Sequence, residues 1–204
     1  MTEKISLLTI ATFNNGKLAE YREMLGALPV QLISLAEHGS VSEVDETGTT
    51  FAENAELKAS GYARMTGTHT LADDSGLEVA ALNGRPGVLS ARYGGDDLGF
   101  AGKMEMLLAE IADSGSGDRR ARFVCEAAIA DPDGGILLTV RGECTGTIAP
   151  GPSGSGGFGY DPIFVPDGFE STFGELSPVT KHQISHRARA FEQIIPFLRD
   201  KLNG

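Results

Sequence analysis

The chain reads as one α/β domain with a mixed, twisted sheet flanked by helices, on three observations. Short apolar runs of strand type alternate with longer stretches of helical periodicity, as where residues 5–12 are followed by Leu18, Tyr21, Leu25 and Leu28. Residues 121–148 make two runs around Asp131-Pro-Asp-Gly-Gly135, a hairpin signal that puts antiparallel pairing into the sheet. At 204 residues, without internal repeats, the chain is long enough for one core and needs no staples.

The elements follow in order. Residues 5–12 form a compact apolar strand, and the next segment is an amphipathic helix. Residues 30–35 predict a second strand, followed by an acidic stretch with Glu37, Glu43, Asp45 and Glu46. Thr49, Glu53 and Asn54 open a helix carrying Ala52, Ala55, Ala59 and Ala63. Residues 68–72 and 77–82 predict two short strands around the polar knot Asp73-Asp74-Ser75-Gly76. Met104, Leu107, Leu108 and Ile111 predict a helix over about 97–112, and Ser114-Gly-Ser-Gly117 a flexible loop. In the hairpin, Phe123, Cys125, Ala127 and Ile129 alternate with their neighbours, and 136–140 return as the partner strand. The last helix is expected over about 185–202, with Pro196 predicting a kink or break.

Seventeen Lys and Arg against 28 Asp and Glu give a net charge of −11, which disfavours nucleic acid or an anionic membrane as partner. A small anion escorted by a metal cation stays compatible with that charge. Cys125 and Cys144 lack metal-ligand spacing and sit in apolar runs, so buried free thiols of a reducing compartment are expected. The N-terminal apolar run is too short for a signal sequence, and nowhere do about 18 apolar residues run together, so a cytoplasmic setting is expected.

Six segments carry chemistry, each with a plainer alternative. Thr12-Phe-Asn-Asn-Gly-Lys17 lies at a strand-to-helix junction, where free amides and a Lys suit a phosphate; by itself it reads more readily as an ordinary turn with a solvated Lys. Glu46, Asp73 and Asp74 suit Mg²⁺, although adjacent strand residues point to opposite faces, so one of the two Asp faces the site; an Asx turn is the alternative. Asn54 and Lys58 share a helix face, which a solvated Glu–Lys pair would also explain, and Arg92 is either a phosphate ligand or a partner for an acid. In Ser153-Gly-Ser-Gly-Gly-Phe-Gly-Tyr-Asp-Pro162, glycines frame Phe158 and Tyr160, rings able to lie on a flat ligand or to join the core. Lys181, His186 and Arg187 add donors for phosphate or carbonyl oxygens, or simply belong to a helix start.

Taken together and in order, T-x-N-x-x-K at Thr12, Asn14 and Lys17, E-T-G-x-T-F at 46–51, then E-N-A, A-D-D-S-G, S-A-R-Y, G-G-F-G-Y-D-P and S-H-R resemble the inosine triphosphate pyrophosphatase family over essentially the whole chain. The resemblance implies an elongated mixed sheet with a cleft between two lobes, a homodimer, and Mg²⁺-dependent hydrolysis of inosine, deoxyinosine and xanthosine triphosphates (ITP, dITP, XTP) to monophosphate and pyrophosphate. It implies that Thr12, Phe13, Asn14, Asn15, Gly16, Lys17 and Lys58 embrace the triphosphate, and that Glu46 and Asp74 hold the metal. Asp74 would be the base for the attacking water, with Asp73 supporting it and Ser75 touching substrate. Phe158, Gly159, Tyr160, Asp161, Lys181, His186 and Arg187 would surround base and sugar. Arg offers only donors, so Arg187 beside purine position 6 suits an oxo group and opposes the amino group of adenine. A related pyrophosphatase of the septum-formation-inhibitor type and a catalytically silent nucleotide-binding module are the competing expectations.

Overall fold

The computed structural model describes residues 4–95 and 97–203. The strands are β1 (Leu7–Ile10), β2 (Gln31–Ser34), β3 (His69–Val79), β4 (Arg120–Ala130), β5 (Ile136–Ile148) and β6 (Phe164–Pro166). Among the described residues the α-helices are α1 (Asn15–Leu25), α2 (Phe51–Thr66), α3 (Phe100–Asp113), α4 (Pro178–Ile184) and α5 (His186–Asn203). One six-stranded sheet has the order β2-β1-β3-β4-β5-β6. It is mixed: β1 runs parallel to β2 and β3, with Ile10 opposite Ser34 and Leu71, while β5 and β6 are antiparallel, with Thr147 opposite Val165. Adjacent β4 and β5 are joined by the predicted turn, where Asp131 Oδ1 accepts from Gly135 N at 2.8 Å.

The chain divides into two compact units. The first takes the chain through Asp74, Cys125–Gly142 and the segment from Ala188 on; the second takes Ser75–Val124 and Glu143–Arg187. In the first, the period of two in the strands builds two cores. Leu8, Ile10, Leu71, Cys125, Ala127 and Ile129 pack with Tyr21 and Leu25 of α1 and Phe191, Ile194 and Leu198 of α5. The alternate residues Ala72, Ala128 and Ala130 meet Ala55, Ala59 and Ala63 of α2, where small side chains let the helix lie close against the strands. In the second unit, Leu77, Val79, Phe123, Ile148, Phe164 and Phe173 pack with Met104, Leu107 and Ile111 of α3.

Four expectations change. The polar knot is no turn: Asp73, Asp74, Ser75 and Gly76 lie inside the continuous strand β3. The strand stands between β1 and β4, whose ladders supply its backbone partners, and that pairing overrides the local turn preference of Asp-Ser-Gly. Residues 80–82 form a single 3₁₀ turn instead of prolonging the strand. The C-terminal helix starts at His186, after the separate α4, and continues through Pro196, with Ile194 and Leu198 buried on either side of the proline. The return strand β5 extends to Ile148, well past Val140. Cys125 and Cys144 are free and buried, as expected. No helix among the described residues is long and apolar enough to cross a membrane.

Candidate active site

In the first unit, the segment following β1 is organised as a helix cap. Asn14 is the N-cap of α1, and its Oδ1 accepts from Gly16 N at 2.8 Å and Lys17 N at 3.1 Å. Thr12 Oγ1 accepts from Asn14 N at 3.1 Å. The amides of Gly16 and Lys17, expected to be open to an anion, therefore already have a partner in Asn14. Asn15 is the first residue of α1, and Phe13 is 59% exposed, its ring edge-on to Tyr62 at 6.2 Å. Lys17 is not a solvated lysine: its Nζ donates to Asp73 Oδ2 at 2.8 Å, in a pair with side chains 15% and 1% exposed.

The two adjacent aspartates of β3 diverge, as strand geometry requires. Asp73 turns toward Lys17 and Cys125, whose Sγ is 3.9 Å from its Oδ2. Asp74 turns toward α2, where Asn54 Nδ2 donates to its Oδ2 at 3.1 Å and Lys58 Nζ lies 3.7 Å from its Oδ1. Lys58 also donates to Glu46 Oε1 at 2.6 Å, so one ammonium reaches both carboxylates. Burial pushes the Asp74 carboxyl above its usual range, against the pull of Lys58 and Lys17. For Lys58, burial opposes the charge, but Asp74, Asp73 and Glu46 outweigh it and hold the ammonium above its usual range.

No group of three or more His, Cys, Asp and Glu among the described residues forms a metal cage. Glu46 and Asp74 are instead a pair of oxygen donors already gathered around one positive charge, that of Lys58. Mg²⁺ commonly uses one or two carboxylates, with waters and substrate phosphates completing the octahedron, so this donor set fits that ion. Besides the Lys58–Glu46 bond, backbone amides of the loop carrying Glu46 are held by α2: Tyr62 Oη accepts from Val44 N at 3.2 Å and Asn54 Oδ1 from Gly48 N at 2.8 Å. Asn54 was legible in the sequence as part of the helix opening, as part of the E-N-A motif and as a neighbour of Lys58, but not as a site residue; a polar residue on the alanine-rich, buried face of a helix is the signal that singles it out.

The second unit holds the other predicted residues. Asp161 Oδ2 accepts from Phe158 N and from Lys181 Nζ, each at 2.7 Å, which folds the glycine-rich loop over this carboxylate. Gly157, at φ +70°, is required there: a Cβ would fall 2.0 Å from Asp161 Oδ2. Gly159, also at positive φ, follows Phe158 in the same loop. Lys181 Nζ lies 4.6 Å and Arg187 Cζ 5.2 Å from the centre of the half-buried Phe158 ring, so these three residues come together. His186 stacks on Phe123 with ring centres 4.8 Å apart. Tyr160 is a core residue, 3% exposed, with its hydroxyl donating to Ser90 O at 3.0 Å and its ring edge against Phe100. Ser75, half-buried, follows Asp74 on β3, and Arg92 is exposed on the 91–94 turn.

The same residues can be set against known proteins. The Ham1 family model matches residues 8–197. The chain belongs to the Ham1 family. Among its relatives, a dITP/XTP pyrophosphatase of Streptomyces coelicolor is 45% identical over 197 residues, covering 96% of this chain and 98% of the relative. A Nostoc protein of the same name is 48% identical, with 97% of each chain covered. Of solved Ham1 structures, that from Coxiella burnetii superposes with a TM-score of 0.86 at 40% identity, covering 95% of this chain and 98% of its own. The Staphylococcus aureus Ham1 protein gives 0.85 at 39%, covering 96% and 99%. The mixed α/β fold predicted from the sequence is thus that of the Ham1 proteins.

Proposed function

We propose that this Ham1 chain hydrolyses non-standard purine nucleoside triphosphates, ITP, dITP and XTP, between the α and β phosphates, releasing monophosphate and pyrophosphate and so clearing these nucleotides from the pool. The observation that carries the reading is the set Glu46, Lys58 and Asp74, in which two carboxylates and an ammonium share one place beside the paired Lys17 and Asp73. Such a set suits a triphosphate with its counter-cation, because phosphoryl transfer is accelerated mainly by positioning and by neutralising spread charge. It is the pairing of acids with bases, not net charge, that matters, so the acidic chain is no obstacle.

Glu46 and Asp74 would hold Mg²⁺, which when bound supplies charge neutralisation and polarises the phosphate it touches. Lys17 and Lys58, with the 12–16 segment, orient the phosphates, and Ser75 contacts substrate. Asp74 accepts the proton of the attacking water, a role that its raised affinity for protons suits. The half-buried Phe158 ring lies against the base, and Lys181, His186 and Arg187 bring donors to its oxo edge and to the sugar. Asp161 holds this group in place. The names of the relatives support the substrate class; the homodimer rests on the family resemblance of the sequence motifs, and the cytoplasmic setting on the short apolar runs of the sequence.

Purified protein incubated with ITP, dITP, XTP, GTP and ATP, with and without Mg²⁺, tests the reading. Monophosphate and pyrophosphate from the first three, only with the metal, are expected. Diphosphate with orthophosphate would assign the chain to another class of phosphatase, and binding without turnover would make it a silent module.

A further inference from the structure

We infer that Asn54 is a positioning residue for the hydrolysis: its amide ties the strand that carries Asp74 to the loop that carries Glu46 and turns the other Asp74 oxygen toward Lys58. The inference rests on the proposed roles of Glu46 and Asp74. Asn54 is 1% exposed and lies on the inner face of α2. Its two ends are used differently. Gly48 N can only donate, so the oxygen of Asn54 faces it at 2.8 Å; the Asp74 carboxylate accepts, so the NH₂ faces Oδ2 at 3.1 Å. The network therefore fixes the orientation of the amide without ambiguity.

Two consequences follow. With Oδ2 of Asp74 engaged by Asn54, Oδ1 is the oxygen that turns to Lys58, at 3.7 Å, and hence to the place shared with Glu46. Glu46 lies two residues before Gly48, and the Gly48 amide anchors its loop to the same side chain. The approach is so close that only glycine fits: a Cβ on residue 48 would lie 2.6 Å from Asn54 Oδ1 and 2.7 Å from Glu53 Cβ. One amide thus couples the two carboxylates, which arrive from separate parts of the chain.

The test is Asn54→Leu, similar in volume but unable to hydrogen-bond, with Gly48→Ala as a second variant that disturbs the same amide from the other side. Three quantities are measured: thermal melting, kcat and KM for ITP with Mg²⁺, and the affinity for Mn²⁺ alone, followed by electron paramagnetic resonance. A positioning role predicts that kcat and Mn²⁺ affinity each fall about 10- to 100-fold, with KM changed less than about threefold, as for residues that orient metal ligands. A lowered melting temperature with wild-type kcat and Mn²⁺ affinity in the folded variant would show that Asn54 only stabilises the fold and would overturn the inference. If Asn54→Leu does not fold, Gly48→Ala decides by the same criteria. A wild-type protein that binds Mn²⁺ but releases no pyrophosphate would sink the proposed function while the Mn²⁺ titration still judges Asn54. One that does neither would sink both.

Discussion

Asp73 and Asp74 are neighbours in sequence, yet their carboxylates serve different partners: Asp73 Oδ2 is 2.8 Å from Lys17 Nζ on α1, and Asp74 Oδ2 is 3.1 Å from Asn54 Nδ2 on α2. The alternation of a strand separates them, so substitutions one residue apart should have opposite signatures. Asp74→Asn removes the proposed base and metal donor and should lower kcat by about 10² or more. Burial raises the Asp74 pKa, so the stabilisation that its proton gives is fully present below the ordinary carboxylate value and is lost as pH rises through the raised value. At neutral pH the ionised group is a cost, and the variant should melt at or above the wild-type temperature. Calorimetry alongside kinetics checks both halves.

Lys17→Ala should cost more than a surface lysine would. It removes the ammonium from Asp73, whose side chain is 1% exposed, and breaking a buried pair typically costs about 3–5 kcal/mol. Lys17→Met combined with Asp73→Asn should recover most of that stability but not kcat/KM for the triphosphate. Denaturant melts of the three proteins measure the first, and steady-state kinetics the second.

Phe158 and Tyr160, two residues apart, should separate as cleanly. Tyr160→Phe loses the hydroxyl bond to Ser90 O and should cost about 1 kcal/mol of stability with KM unchanged. Phe158→Ala should raise KM for every nucleotide, because stacking on a ring is blind to the identity of the base. Equal kinetic effects from both would assign Tyr160 to the ligand as well.

Arg187→Ala should lose selectivity more than rate. The guanidinium only donates, so it favours a 6-oxo purine over adenine, while exclusion of guanine must come from its 2-amino group meeting a steric or unpaired-polar penalty. The ratio of kcat/KM for ITP to that for ATP should fall in the variant, and an unchanged ratio would remove Arg187 as the reader.

Acid should loosen the caps. Backbone and side-chain hydrogen bonds from Thr49 hold the Glu53 carboxyl below its ordinary value of 4.5, and the Ser153 hydroxyl and the Thr172 amide do the same for Glu175. Folded values below the unfolded ones mean that this stabilisation is present above about pH 4.5 and is lost as pH falls through the lowered values. Glu53→Gln should flatten the fall in melting temperature between about pH 5 and 3, as read from thermal melts across that range.

Much of the fold was readable because it is written locally. The Asp131–Gly135 turn closes the hairpin as expected, and α2 opens one residue after the expected Thr49, where Thr50 makes a capping box with Glu53, each set by residues within a few positions of one another. The ordered motifs from Thr12 to Arg187 pointed to the family without any contact being known. What lay beyond the sequence depends on partners far along the chain. β3 is one strand because β1 and β4 flank it, and Lys17 and Lys58 are buried pairs because Asp73, Glu46 and Asp74 come to meet them.

By itself, then, the amino-acid order determined periodicity, caps, turns and the inventory of acids, bases and rings, since those follow from steric and hydrogen-bonding rules acting over one or two turns of chain. Only the tertiary structure decided which of two adjacent aspartates faces α2, that Tyr160 is core while Phe158 stays half-open, and that Asn54 bridges Gly48 and Asp74. Those choices are made by burial and by the need of each buried polar atom for a partner, and the partners are 6, 20 and 70 residues away.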